Sequence, residues 1–121
     1  MDNEFKIVYT QNALDDLQAL VDHISIGSFQ AAYRMRQRII NRASTLQLFP
    51  KIGKSTETLD CFLEPGLRYI AEGKYYILYK VIGKEIVISR IIHSARDISS
   101  LLMDYDFRNF NETEEFEEND F

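Results

Sequence analysis

The sequence contains little cysteine, little proline and no long apolar run. The single Cys61 excludes an intrachain disulfide and a four-cysteine metal site. No stretch of about 18 consecutive apolar residues occurs, so no membrane-spanning helix is expected. The first ten residues, MDNEFKIVYT, lack the basic start and apolar stretch of a signal peptide. These absences lead us to expect a cytoplasmic protein.

The chain has 121 residues, 45% hydrophobic and 27% charged, which suits a single globular domain. Its net charge of −5 is unevenly distributed. Residues 104–121 contain eight acids and one base (net −7), whereas residues 1–103 contain 13 bases and 11 acids (net +2). A net charge of +2 is too small to predict nucleic-acid binding. We therefore predict a folded domain over residues 1–103 and an acidic tail over residues 104–121.

The first half of the chain predicts a strand followed by a helical hairpin. FKIVYT alternates with a period of two, as a strand does. Asn12 is expected to cap a first helix whose apolar residues recur at helical spacing up to Ile24. Gly27 ends that helix, and Ser28 caps a second one that runs to about Leu48. The connection is so short that the two helices should pack antiparallel.

The second helix is predicted to have an apolar face and a basic face. The apolar face begins with Phe29 and Tyr33. Arg34, Arg38 and Arg42 are four residues apart and therefore stack as one basic stripe. Such a stripe is typical of a solvated helix face, and a contact with an acidic partner or nucleic acid is the alternative.

The second half predicts an antiparallel meander. FPKIGKSTETLDCFLEPG contains both prolines of the chain and two glycines, so it is expected to be a loop. Three strands follow, LRYIAE, YYILYKVI and EIVISRII, separated by Gly73-Lys74 and Gly83-Lys84, which suit type II′ turns. The predicted order is β-α-α-β-β-β, an α+β domain with the helical hairpin on one face. A third helix is expected after His93, and the sequence does not tell which sheet edge holds the first strand.

A two-residue turn at Gly83-Lys84 sets the expected register of the last two strands. The predicted opposite pairs are Ile82 with Glu85, Lys80 with Val87, Leu78 with Ser89, and Tyr76 with Ile91. One sheet face would then remain open and carry Tyr76, Lys80, Ser89 and His93. The other face would meet the helices and carry Tyr75, Ile77, Tyr79, Val81, Ile86, Ile88, Arg90 and Ile92.

Four segments, in this order, resemble the RelE/ParE superfamily of bacterial toxins from type II toxin–antitoxin modules: FPKIGK, PGLRYI, KYYILYKV and ISRIIHSARD. The resemblance covers about residues 5–102 and implies a microbial-RNase-like fold with the order β-α-α-β-β-β(-α). It also implies a cognate antitoxin whose C-terminal segment wraps the toxin. RelE-like members cut mRNA on the ribosome, whereas ParE-like members poison DNA gyrase. No cofactor is expected, and two distant histidines with one cysteine predict no metal site.

Tyr76 separates these two branches. The resemblance implies that mRNA-cutting members typically carry an arginine there, which would contact the scissile phosphate and stabilise developing charge. The segments GLR, YYILY and IIHSARD also resemble the ParE branch. We therefore predict ParE-like gyrase inhibition. A RelE-like endoribonuclease and an inactive, binding-only homologue remain the alternatives.

The candidate catalytic residues apply only to the RNase alternative. His93, Lys80 and Arg96 would then lie near the phosphate, with His93 as general acid or base. A structural hydrogen bond is the competing interpretation of His93, and an exposed ion pair with Asp97 is that of Arg96.

The candidate binding residues are Arg68, Tyr76, Leu17 and Tyr33. Leu17 and Tyr33 are expected to be exposed anchors for an amphipathic antitoxin helix in a groove beside the helical hairpin. Arg68 could instead lie over an aromatic ring or pair with Glu72, as could Arg90. A homo-oligomer and a toxin–antitoxin hetero-oligomer are both open.

The tail has two interpretations. It carries phenylalanines at 110, 116 and 121 among its acids, which is unusual for a disordered segment. It is either a solubilising extension or an imitation of the antitoxin. In the second case its glutamates would approach basic residues of the body while Phe116 fills an apolar pocket.

Overall fold

A computed structural model describes residues 4–56 and 65–93. Its elements are β1 (Lys6–Tyr9), α1 (Gln11–Ser25), α2 (Phe29–Ser44), β2 (Lys54–Ser55), β3 (Arg68–Glu72), β4 (Tyr75–Ile82) and β5 (Glu85–His93), with a short 3₁₀ turn at Thr45–Gln47. The predicted α+β class, with two helices followed by an antiparallel meander, is confirmed. The expected third helix and the boundary between residues 103 and 104 lie outside the described residues.

The strands form one sheet in the order β1-β5-β4-β3-β2. The first strand lies at the sheet edge beside β5, because β1 pairs with β5 and runs parallel to it. The other neighbours are antiparallel. The two residues of β2 lie in the segment that was expected to be only a loop, and they pair with the start of β3. The sheet therefore has five strands rather than the predicted four.

The helix starts show one correct and one wrong prediction. Ser28 caps α2, and its Oγ accepts a hydrogen bond from the Ala31 amide at 3.0 Å. Thr10, and not Asn12, caps α1, because the Thr10 Oγ1 accepts from the Ala13 amide at 3.1 Å. Thr10 is the first residue after β1 and has extended backbone angles, which are those of an N-cap.

The two hairpin turns have the predicted chemistry. Gly73 and Gly83 each have a φ of +61°, and no other residue type has a positive φ in the described ranges. A type II′ turn requires a positive φ only at its first central residue, which is where both glycines stand. The lysine that follows each glycine can therefore keep an ordinary conformation.

The main core lies between the helical hairpin and one face of the sheet. Its buried members are Ala13, Leu17, Leu20, Ile39, Ala43, Leu46, Ile70, Ile77, Tyr79, Ile86, Ile88 and Ile91. A second, smaller cluster on the other face consists of Leu67, Leu78 and Ile92, with Tyr69 and Tyr76 partly buried against it.

A β-bulge in β5 makes half of the predicted register wrong. Up to the bulge the prediction is correct, since Ile82 is opposite Glu85 and Lys80 is opposite Val87. The pairing then shifts between Leu78 and Tyr79, so that Leu78 is opposite Arg90, and Ser89 has no partner position on β4. One extra residue reverses the alternation of side chains beyond it.

The bulge corrects the predicted faces at the end of β5. Ile91 is opposite Ile77 and packs in the main core, although it was expected on the open face. Ile92 is opposite Tyr76 and belongs to the smaller cluster, although it was expected to meet the helices. His93 is opposite Tyr75 and therefore moves to the helix side of the sheet.

The bulge is held by polar side chains from the start of α1. Thr10 donates its hydroxyl to the carbonyl of Ser89 at 3.0 Å. Asp16 accepts two hydrogen bonds from Arg90, at 2.7 and 3.0 Å, and a third from the Ile91 amide at 2.9 Å. Beyond the end of β1, Asp16 thus supplies the acceptor that a neighbouring strand would otherwise provide.

We expect Asp16→Ala to lower the free energy of unfolding by about 2 kcal/mol, because it removes a charge-assisted pair and leaves the Ile91 amide without its acceptor. Urea unfolding followed by circular dichroism measures this. Asp15→Ala is the matched control, since Asp15 is exposed and accepts a hydrogen bond from Gln11 of the same helix, at 2.9 Å. Equal losses in the two variants would show that Asp16 does not hold the bulge.

Candidate functional site

The open face of the sheet carries Tyr76 at the position where the sequence resemblance predicts an arginine in an mRNA-cutting protein. Tyr76 lies on β4, and its ring centroid is 4.7 Å from that of Tyr69 on β3. Both rings pack against the buried Leu67, Leu78 and Ile92. The position that distinguishes the two branches is therefore part of an apolar cluster, where ring contact and partial burial stabilise it.

The structure does not bring His93 and Lys80 onto one face. Lys80 is opposite Val87, whereas His93 is opposite Tyr75, five positions away along β4. An odd separation in a strand puts two side chains on opposite faces. The His93 ring meets the Tyr75 ring edge-on, with centroids 5.6 Å apart. The predicted open face shared by both residues is wrong because of the bulge, and Arg96 lies outside the described residues.

Arg68 holds the segment that follows α2. Its guanidinium Nη1 donates to the carbonyls of Gly53 and Lys51, at 2.7 and 3.3 Å. The sequence left Arg68 as either a binding residue or a residue with structural contacts. The structure shows contacts within the chain. Glu72, the expected partner of Arg68 or Arg90, instead pairs with Arg38 of α2 at 2.8 Å.

Tyr79 also binds the segment that follows α2, at Gly53. It is fully buried, and its hydroxyl accepts a hydrogen bond from the Gly53 amide at 2.9 Å. Burial raises the pKa of Tyr79 above its ordinary 10.0, while the Gly53 amide, Arg68 and Arg42 act in the opposite direction. The folded state therefore favours the neutral hydroxyl, and this contribution to stability is lost as the pH rises above 10.0.

The arginine stripe of α2 is only partly a solvated face. Arg38 donates from Nε to Glu72 at 3.0 Å, and Arg42 donates from Nε to the carbonyl of Ala71 at 3.1 Å. Both side chains thus bind the end of β3, whereas Arg34 and Arg36 lie exposed nearer the start of the helix. Arg38 is exposed, as predicted, and Arg42 is half-buried, but both also bind β3 because α2 packs beside it.

Apolar side chains are exposed where the two helices meet. Ile26 is 84% exposed, Phe29 is 80% exposed and Tyr33 is 63% exposed. Tyr33 is therefore available to a partner, as expected. Phe29 was expected on the packed face of α2 and is not. Leu17 is only 6% exposed and packs in the main core, so the expectation that it is an exposed anchor is wrong.

The sequence indicated no role for Asp16 or Ile26, and it predicted a packed position for Phe29. Asp16 looked like an ordinary polar position of an amphipathic helix, and its contacts with β5 depend on how α1 crosses the sheet. Phe29 follows the N-cap directly, and the first turn of a helix can project beyond the layer it packs on. The sequence feature that points to the exposure of Phe29 is its position beside the short connection between the two helices.

Within residues 4–56 and 65–93, no group of three or more His, Cys, Asp or Glu side chains is placed to hold a metal ion. In the same part of the chain, none of the helices has both the length and the apolar character needed to cross a membrane.

Comparisons with known proteins identify the family. Residues 7–98 match the family described as ParE toxin of type II toxin-antitoxin system, parDE. The chain therefore belongs to the ParE toxin family, and the predicted resemblance to the ParE branch is confirmed. Among solved structures, the chain is similar to one titled "Chromosomal ParDE TA system from P. aeruginosa", with 26% identity and a TM-score of 0.64, over 76% of this chain and 98% of that one. No curated protein matches the chain.

We expect Gly53→Ala to lower the free energy of unfolding by about 1–3 kcal/mol, because the added methyl group overpacks the contact with Tyr79. A Cβ at this position would lie 2.6 Å from the Tyr79 hydroxyl and 2.8 Å from the Tyr69 carbonyl. Thermal unfolding measures the loss. Gly27→Ala is the control, since its nearest neighbour, the Ile24 carbonyl, is 3.8 Å away. A Gly53→Ala protein as stable as the control would contradict the close fit.

Proposed function

We propose that this chain is a toxin that inhibits DNA gyrase and is neutralised by a cognate antitoxin. The observation that carries the proposal is Tyr76, whose ring packs at a tilt against that of Tyr69, at the position where mRNA-cutting relatives are expected to have an arginine. A phenol in an apolar cluster cannot neutralise a phosphate. Membership of the ParE family supports the same target.

The RNase alternative is less well supported by the geometry. Cleavage by a 2′-hydroxyl needs an acid and a base within hydrogen-bond reach of one substrate. Lys80 and His93 lie on opposite faces of the sheet, and the His93 ring packs edge-on against Tyr75. A single phosphate could not contact both side chains without a change in the β5 register.

The helical hairpin is the proposed site for the antitoxin. Ile26, Phe29 and Tyr33 expose apolar surface, and Phe29 and Tyr33 are one helical turn apart, so they form one continuous contact area. An amphipathic helix would bury these side chains in its apolar stripe. The similar P. aeruginosa structure is a ParDE system by its title, which supports a protein partner for this chain as well.

The gyrase proposal predicts that the purified toxin blocks supercoiling by gyrase and leaves mRNA intact in a translation reaction. The double variant Lys80→Ala/His93→Ala should inhibit gyrase as well as the unmodified chain does, because neither side chain is assigned to gyrase binding. Gel assays of supercoiling and of mRNA length measure both activities. Cleaved mRNA together with normal supercoiling would overturn the proposal in favour of the RNase alternative.

The antitoxin proposal predicts that Tyr33→Ala weakens binding about tenfold or more, as truncation of a buried aromatic anchor does. Arg34→Ala, the adjacent exposed position, should change the affinity much less. The partner to use is the product of the neighbouring reading frame, and calorimetry gives the dissociation constants. A larger loss for Arg34→Ala than for Tyr33→Ala would mean that charge, and not apolar contact, holds the antitoxin.

A further inference from the structure

Helix α2 carries an unbalanced positive charge. Its sequence, FQAAYRMRQRIINRAS, contains four arginines and no acid. Arg38 and Arg42 are engaged with β3. Arg34 and Arg36 are exposed, and the hydrogen bond of Arg36 goes to the neutral side chain of Gln37. Two arginines near the start of α2 are therefore exposed on different sides of the helix, and α2 itself has no acid to neutralise them.

This charged surface adjoins the exposed apolar side chains. Phe29, Tyr33 and Arg36 are spaced by four and three residues, so they lie on one face of α2, and Arg34 lies about 100° around the helix from Tyr33. A segment that fits the whole surface must therefore combine acidic residues with an aromatic or aliphatic side chain. A purely acidic segment would leave Phe29 and Tyr33 in water.

The end of this chain has that composition. Residues 111–121, NETEEFEENDF, contain six acids, two phenylalanines and no base. Phe116 has a glutamate pair on each side. The segment lies beyond residues 7–98, which match the toxin family, so it is an addition to the shared domain.

The chain leaves the sheet close to α2. His93, the last residue of β5, is opposite Tyr75, next to the turn at Gly73. A Cβ at Gly73 would lie 3.7 Å from the Arg38 guanidinium and 3.9 Å from the Met35 methyl, both on α2. The 17 residues from 94 to 110 span about 26 Å even if helical, at about 1.5 Å per residue, which is comparable to the length of α2 itself. Residues 111–121 can therefore reach this helix.

We propose that residues 111–121 dock in cis on the outer surface of α2. Phe116 packs against Phe29 and Tyr33, and the flanking glutamates approach Arg34 and Arg36. Apolar contact gives the segment its position, and opposite charge favours its approach. The docked segment covers Tyr33. Its competition with an antitoxin rests on the proposed function, whereas the docking itself does not.

The chain has no tryptophan, which permits a direct test in the full-length protein. In Phe116→Trp, the new indole reports whether the tail is buried. We expect its emission at a shorter wavelength than in the urea-unfolded chain, and a move to longer wavelength in 1 M salt, where the Debye length falls to about 3 Å. Emission equal to that of the unfolded chain at low salt would overturn the proposal.

A second pair of variants, each made in the Phe116→Trp protein, locates the contact. Arg34→Glu/Arg36→Glu should move the indole emission to longer wavelength, because it replaces the attraction by repulsion. Lys54→Glu/Lys84→Glu makes the same change in net charge at exposed positions on β2 and the β4–β5 turn, and should leave the emission unchanged. Equal effects of the two pairs would refute docking on α2. An emission that shifts on dilution would assign the contact to a second copy and refute docking in cis.

Discussion

The contact between the start of α1 and the bulge in β5 is the constraint on which the rest of the fold depends. Thr10 ends β1, caps α1 and binds the carbonyl of Ser89, while Asp16 binds Arg90 and the Ile91 amide. These bonds fix the position of the extra residue. The position of the bulge in turn decides which side chains of β5 face the helices.

A second group of contacts makes the segment after α2 part of the folded domain. The Tyr79 hydroxyl and the Arg68 guanidinium both bind the backbone around Gly53, which has no room for a side chain. Arg38 and Arg42 bind the end of β3 in a similar way. Several cations that look available for a ligand in the sequence are thus used to hold the molecule together. A charge count alone overestimates the surface that is free for partners.

The proposed action by binding, rather than by catalysis, rests on the two faces of the sheet. The open face presents Tyr69 and Tyr76 in an apolar cluster, and Lys80 and His93, the candidate residues of the RNase alternative, lie on opposite faces. The exposed features around the start of α2 are the apolar side chains at the hairpin connection and the arginines that follow them. Both are typical of protein contacts, where an apolar anchor gives affinity and charge gives orientation.

Local patterns are enough to predict the α+β class, the helical hairpin, the glycine turns and the family from the amino-acid order. Hydrophobic periodicity, the Ser28 cap and the chemistry of Gly73 and Gly83 act over a few residues. Only the tertiary structure decided the parallel pairing of β1, the bulge at Ser89 and the exposure of Phe29. These depend on residues far apart in the chain, such as Thr10 and Ser89, whose contact no local pattern encodes. The arrangement of the candidate site could not be predicted for the same reason. One extra residue in β5 places His93 on the helix side of the sheet rather than on the open face.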